Sequence, residues 1–446
     1  MSRKNDSPPP KSTLRRGLTL ALGATLTIAA AAAPAAAGVT ERVSVDSAGI
    51  ESDAPSMYPA IDRSGRTVAF ASWGDGFVPG DTNNAMDIFV HDRKTGLTSR
   101  ASVDSAGQQG NGLSVLPTLS RDGRYVAFES DATNLVAGDT NGARDIFVHD
   151  RKAGTTTRVS VDGAGAEADA PSFISSISSN GRYVVFMSGA TNLVAGDGNG
   201  KFDVFLRDLK TGTTTRVSVN RAGGEGNDHS TVDANCAVSS TGRLVPFASN
   251  ASNLVPGDIN GTTDAFVHDV KTGQTFRVSV DSSGNEGNGS SAEVTMSPNG
   301  RLVAFTSNAS NLVPGDGNGQ ADVFVHDRKT GTTTRVSVDS AGVEGNGSSS
   351  FATFSDDGRY VGFLSDASNL VPGDTNGTTD FFVHDLKTGE TTRASVDGAG
   401  NESNGAIEIA RISGNGRIVV LQSGATNLVP ADVNGNPDIF VHDRKD

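Results

Sequence analysis

Cysteine is nearly absent from this chain: Cys236 is the only one among 446 residues. No intrachain disulfide is possible, so stability has to come from packing. Aromatic rings are sparse, with one tryptophan, Trp73, and four tyrosines. Basic charge is in deficit, with 37 Lys and Arg against 51 Asp and Glu. That balance excludes nucleic acid and anionic lipid as partners, since both demand a basic surface. A long apolar run occurs once, from Leu18 to about Ala33.

That run follows a polar start carrying Arg3, Lys4, Lys11, Arg15 and Arg16, and it precedes Ala35-Ala36-Ala37. A charged start, a short apolar middle and small residues at the end describe a secretory signal peptide over residues 1–37. A membrane anchor would want a longer run. Cleavage after Ala37 leaves 32 basic and 50 acidic residues, a net charge of −18. With no second apolar span and no lipid-attachment cysteine, the expectation is a secreted protein that does not insert into membranes.

What the chain has in abundance is repetition. A near-invariant Gly-Asp-x-Asn-Gly-x-x-Asp-x-Phe-Val-His-Asp recurs seven times, opening at Asp81, Asp139, Asp197, Asp258, Asp316, Asp374 and Asp432. The steps are 58 residues, except for one of 61. Each copy reads as four short strands. In the second they are a near Val115–Ser120, b at Tyr125–Ser130, c at Asp145–Asp150 and d at Thr156–Val161. Strands b and c are rich in β-branched and aromatic residues, and turn residues separate them. Asp-Gly or Asn-Gly between a and b predicts a type I′ hairpin in five copies. Four antiparallel strands per repeat make a propeller blade, and strand b, apolar on both faces, suits burial between blades.

The ends of the chain fit a closed ring. The last copy stops after strand c, while Thr40-Glu-Arg-Val-Ser-Val-Asp46 is an orphan strand d. Pairing the two predicts an all-β, seven-bladed propeller over residues 38–446, closed by its N-terminal strand, with no open sheet edge. The Ser-x-Asp-Gly-Arg-x-[VI]-Ala-Phe and Asp-[IV]-Phe-Val-x-Asp patterns resemble the TolB-type, WD40-like propeller repeat. The resemblance covers the whole chain after residue 37 and implies the fold. It implies little about activity, because such propellers serve as scaffolds, binding modules and occasionally enzymes. No separate N-terminal α/β domain of the TolB kind is present.

Alternating strands put the a–b and c–d turns on one face and the longer b–c and d–a loops on the other. The first face carries Gly-Arg and Lys, and the second carries most Asp and Glu, so a basic face and an elaborated acidic binding face are expected. In the b–c loop, Asp139, Asn141 and Asp145 offer oxygens to Ca²⁺. Calcium wants six to eight oxygen ligands, so turn-capping by the same residues is the favoured reading and no cofactor is expected. Six strand-c histidines are spread one per blade, with Arg207 in the remaining one. They cannot converge as zinc ligands must.

A ligand without sevenfold symmetry must use what is not repeated. The enlarged d–a segment before the fourth blade brings His229 beside Asp228 and near Asp233, a set that could hold a ligand or move a proton. Trp73 stands where other blades have Asp, Asn or Gly, and an exposed ring there can stack on a sugar or anchor a partner. Together these residues predict a non-enzymatic, monomeric recognition module for a glycan or a protein partner, possible also as a subunit of a larger extracellular assembly. A polysaccharide lyase or hydrolase, and a structural scaffold, are the alternatives.

Overall fold

The computed structural model describes residues 38–444 apart from 235, 237 and 431; the expected signal peptide lies outside the described residues. Among the described residues every regular element is a strand. There are 28 of them, in seven four-stranded antiparallel sheets. In the second blade strands a to d are Ser114–Leu119, Tyr125–Ser130, Asp145–Asp150 and Thr155–Arg158. Strand c is buried along Asp145 to His149 because blades cover both of its faces. Phe128 pairs with Phe147 in the b–c ladder and their rings stack at 6.0 Å. The core is divided rather than single, with one apolar cluster between each pair of neighbouring blades. Ala69, Ala71, Ile88 and Val90 of the first blade, for example, meet Val126, Phe128 and Phe147 of the second.

Closure follows the expected scheme. The N-terminal strand Val39–Arg42 lies antiparallel to the last strand c, Asp438–Asp443, from Val39↔Asp443 to Arg42↔Phe440. Val43 then enters the seam cluster with Phe70, Phe89, Val420 and Ile439.

The strand-c histidines join blades. His149 Nδ1 lies 2.9 Å from Thr156 Oγ1, and that hydroxyl donates to the Val103 carbonyl of the preceding repeat. Thr156 has one proton and spends it on Val103, so the imidazole donates through Nδ1, and burial lowers its pKa. His442, Thr40 and Val396 repeat the relay across the seam. In the third blade Arg207 replaces histidine and reaches Thr214 Oγ1 and the Asp162 carbonyl directly.

Two local features differ from the type I′ turn and the plain strand a expected above. At the a–b turn only the glycine has positive φ, 67° at Gly123, and its N–H donates to the Ser120 carbonyl. The turn is therefore type I followed by a left-handed glycine, the three-residue hairpin with a bulge. Strand a, innermost in each blade, carries a β-bulge next to Tyr58, Leu116, Ile174, Glu293 or Phe351, all at φ between 44° and 57°. A bulge bends its strand, and here the bend wraps the inner strands round the propeller axis.

Candidate functional site

The motif that dominates the sequence builds seven copies of one buried cluster. In the third blade Arg216 Nη1 lies 3.2 Å from Asp197, 3.4 Å from Asp203 and 3.0 Å from Glu225. The strand order forces the meeting. Arg216 ends strand d, Asp203 starts strand c beside it, and Glu225 is brought over by its bridge with Val219. Burial outweighs the arginine's attraction at Asp197 and pushes its carboxyl up to about 6. Asp258 is raised to about 6 in the same way. The first blade substitutes Gln109, whose amide donates to Asp81 and Asp87. The seventh cluster is completed across the seam by Arg42 and Glu51.

The residues proposed for calcium belong to this set. Arg158 Nη1 lies 3.3 Å from Asp139 and 3.2 Å from Asp145, while Asn141 donates to Asp145 and accepts from the Ala143 N–H. Four clusters bring three carboxylate oxygens within 4.8 Å of one another. In each of them the guanidinium already stands at the point of convergence, so a metal ion would have to displace it. Asn141 is engaged as a turn cap.

The opposite face is less plainly basic than its composition suggests. Each Gly-Arg arginine is matched by the aspartate that ends strand c, as in Arg124 Nε to Asp150 Oδ1 at 2.8 Å. The Arg124 guanidinium holds the Asp150 carboxyl down at about 2.

Asymmetry gathers instead around the axis. At the b–c and d–a end, Trp73 follows strand b of the first blade and is 49% exposed. Tyr58 lies in the neighbouring inner strand. In the third blade Phe173 meets Phe202 edge-on at 6.0 Å, and Phe202 lies 5.6 Å from the His229 ring. Phe351, 39% exposed, stands on the inner strand of the sixth blade. Four of these five aromatic side chains thus lie in blades one and three. Between them Arg144 bridges Asp131 at 2.7 Å and packs over Phe173. Beneath it Glu129 is buried, and burial lifts its carboxyl to about 7 although Arg144 lies 3.5 Å away.

The four ligand candidates do not form one site. Trp73 is in the first blade, and Asp228 and His229 precede the fourth, three blades round the ring. His229 Nδ1 accepts the Phe202 N–H, and Asp228 caps the His229 N–H while pairing with Lys201 at 3.1 Å. Asp233 lies inward, where its charge is felt by Glu293 and Arg411. The sequence reading passed over Arg144, Glu129, Phe173, Phe202 and Phe351. Alignment of the seven copies position by position would have shown them in columns that vary: Arg144 and Phe202 share one with Met86, Thr263, Ala321, Thr379 and Pro437, and Phe351 shares one with Tyr58, Leu116, Ile174 and Glu293.

At the a–b end the axis widens into a cavity of about 180 Å³ to which all seven blades contribute. One level of its wall is set by inner-strand residues in equivalent ladder positions: Ala60, Thr118, Ser176, Thr295, Thr353 and Arg411. At the mouth Asp356 bridges Arg63 at 2.8 Å and Arg121 at 2.7 Å. Gly414 permits that crossing, because a Cβ there would fall 2.1 Å from the Asp356 carboxylate.

No protein-family model and no curated protein matches the chain. Solved structures do share its fold. An oligogalacturonate lyase in complex with manganese is 13% identical with a TM-score of 0.55, over 93% of this chain and 95% of that one. The β-propeller domain of the trilobed protease from Pyrococcus furiosus, reported with an open velcro topology, is 12% identical with a TM-score of 0.53, over 88% and 96%. TolB from Acinetobacter baumannii is 15% identical with a TM-score of 0.39, over 69% and 61%. At such identities the first two speak for the propeller fold alone, and the third, at its TM-score, carries no argument.

Proposed function

We propose that this chain is a secreted, non-enzymatic recognition module that binds a glycan across blades one to three on the b–c and d–a face. The observation that supports this reading is the crescent of Trp73, Tyr58, Phe173 and Phe202 in an otherwise repetitive ring. Aromatic faces stack on the C–H faces of sugars, and the Arg144–Asp131 pair supplies charged donors and acceptors for hydroxyls. A ligand laid along the crescent contacts the blades that differ and none that merely repeat.

The test is a glycan array followed by calorimetric titration of the best hit. Trp73→Ala and Phe173→Ala are expected to weaken binding by about tenfold or more each, the range seen for exposed aromatic hot spots. Unchanged affinity in both variants removes the crescent as the site. Recovery of a protein from culture medium, abolished by the same substitutions, points to a protein partner instead.

A second reading, a polysaccharide lyase or hydrolase, is favoured by Glu129 alone. A carboxyl held near 7 beside an arginine suits proton transfer at neutral pH. Incubation with a polysaccharide panel, read as new reducing ends or unsaturated products, decides it. Product that disappears in Glu129→Gln supports the enzyme.

A further inference from the structure

We propose that the axial cavity at the a–b end is a binding site for a small carboxylate, with Arg411 as its anchor. This site is separate from the aromatic crescent and stands or falls without it. Arg411 occupies an inner-strand position where the equivalent residues of blades one, two, three, five and six are alanine, serine or threonine. Its Nη1 donates to its own neighbour, the Ala410 carbonyl, at 2.9 Å. Among the described residues no carboxylate lies within ion-pair distance of it, in contrast to the seven cluster arginines. Asp233 acts on it only from farther away, and burial lowers its pKa to about 10, which leaves it charged at neutral pH.

A guanidinium has five N–H donors in a planar fork that matches the two oxygens of a carboxylate. Arg411 is half-buried in the cavity wall, and an entering anion would give its guanidinium the opposite charge it lacks there. The same cavity wall supplies a complementary group two blades on: the Thr118 hydroxyl lines the cavity and is buried without a hydrogen-bond partner. Ser176 and Thr353 add hydroxyls at the same level. Toward the mouth, Ile61, Leu119, Ile177, Phe354 and Ile412 add apolar side chains to the wall.

The mouth is closed by a substitute ligand. Asp356 holds Arg63 and Arg121 as an outside carboxylate would, so entry means displacing Asp356 or passing beside it. The two arginines then line the route to Arg411. The volume admits an organic acid or a single acidic sugar and nothing longer in full.

Thermal unfolding of the intact protein is followed with acetate, D-glucuronate, D-glucose and sodium chloride, the salts at matched ionic strength. Acetate and glucuronate are expected to raise the melting temperature in a saturable way, and glucose and chloride to leave it unchanged. Arg411→Gln is expected to weaken acetate binding by about tenfold or more, as loss of a charged hydrogen-bond partner does. Asp356→Asn is expected to tighten it by about tenfold, because the internal competitor is gone. Equal responses to acetate and chloride overturn the proposal, and so does a folded Arg411→Gln protein that binds acetate as before. Should Arg411→Gln fail to fold, an Asp356→Asn protein with unaltered or weaker acetate affinity overturns it as well.

Discussion

The carboxylate–arginine clusters between the strands and the axial cavity are built from the same side chains in opposite proportions. Around Arg216 three carboxylates converge on one guanidinium, and the set is copied in every blade with a single Gln exchange. On the axis Arg411 stands among hydroxyls and aliphatic groups, with no carboxylate of the described residues within ion-pair distance. A repeated cluster meets the same surroundings in each copy, and its carboxylates already have a guanidinium at their centre. An unrepeated charge on the axis faces six blades that do not mirror it. In this ring repetition therefore marks structure, and departure from it marks the places where something can bind.

The comparison can be broken most severely at the seam. Removing residues 38–46 strips Val39–Arg42 from the last blade and takes Arg42 out of the seventh cluster, Thr40 from its relay and Val43 from the core. The loss is expected to exceed about 5 kcal/mol, a large part of the stability of an ordinary domain. Thermal unfolding of the shortened chain should show no cooperative transition near the parent's. A melting point close to the parent's would mean that six complete clusters hold the ring without the seventh.

Next in size is the removal of one cluster's cation. Arg216, with its side chain 8% exposed, is replaced by alanine, leaving Asp197, Asp203 and Glu225 to repel one another. Breaking a buried pair from one side costs about 3–5 kcal/mol. Added calcium should restore part of that stability by taking the vacated place. The parent's melting temperature should not respond to calcium or to chelator. A parent that responds shows that the guanidinium does not fill the site.

A smaller effect separates the relays from the clusters through pH. Burial holds His442 neutral, its pKa lowered to about 4, and unfolding releases it to an ordinary value near 6.5. The unfolded chain then binds the extra proton between those values, so this group's contribution is present above pH 6.5 and lost as pH falls toward 4. Asp197 runs the other way. With its carboxyl raised to about 6, the folded state binds the extra proton, and stability is gained as pH falls from 6 toward 4. Urea titrations of His442→Gln between pH 4 and 7 should show acid sensitivity reduced by about 2 kcal/mol relative to the parent. A parallel pair of curves would show that His442 does not titrate on unfolding.

The smallest change is expected at Trp73. Its replacement by alanine should move stability by no more than about 0.5 kcal/mol, since the ring is half exposed and outside every cluster. A large drop in melting temperature would reassign the ring from ligand binding to packing.

Sequence alone determined the number of blades, their strands and the closure by residues 40–46, because period-2 apolar strands between turn residues at a fixed spacing admit few arrangements. It also pointed to Trp73 and to the fourth blade as breaks in the repeat. It could not decide the partners. That Arg158 would enter the Asp139, Asn141 and Asp145 loop, that His229 would turn to the Phe202 backbone, and that Asp356 would span the seventh blade to reach Arg63 all depend on contacts between residues far apart in the chain. Nor could it show Arg411 alone, since being unpaired is a property of everything that surrounds a side chain. Local pattern sets which face of a strand is buried, and only the closed ring sets what each buried charge meets there.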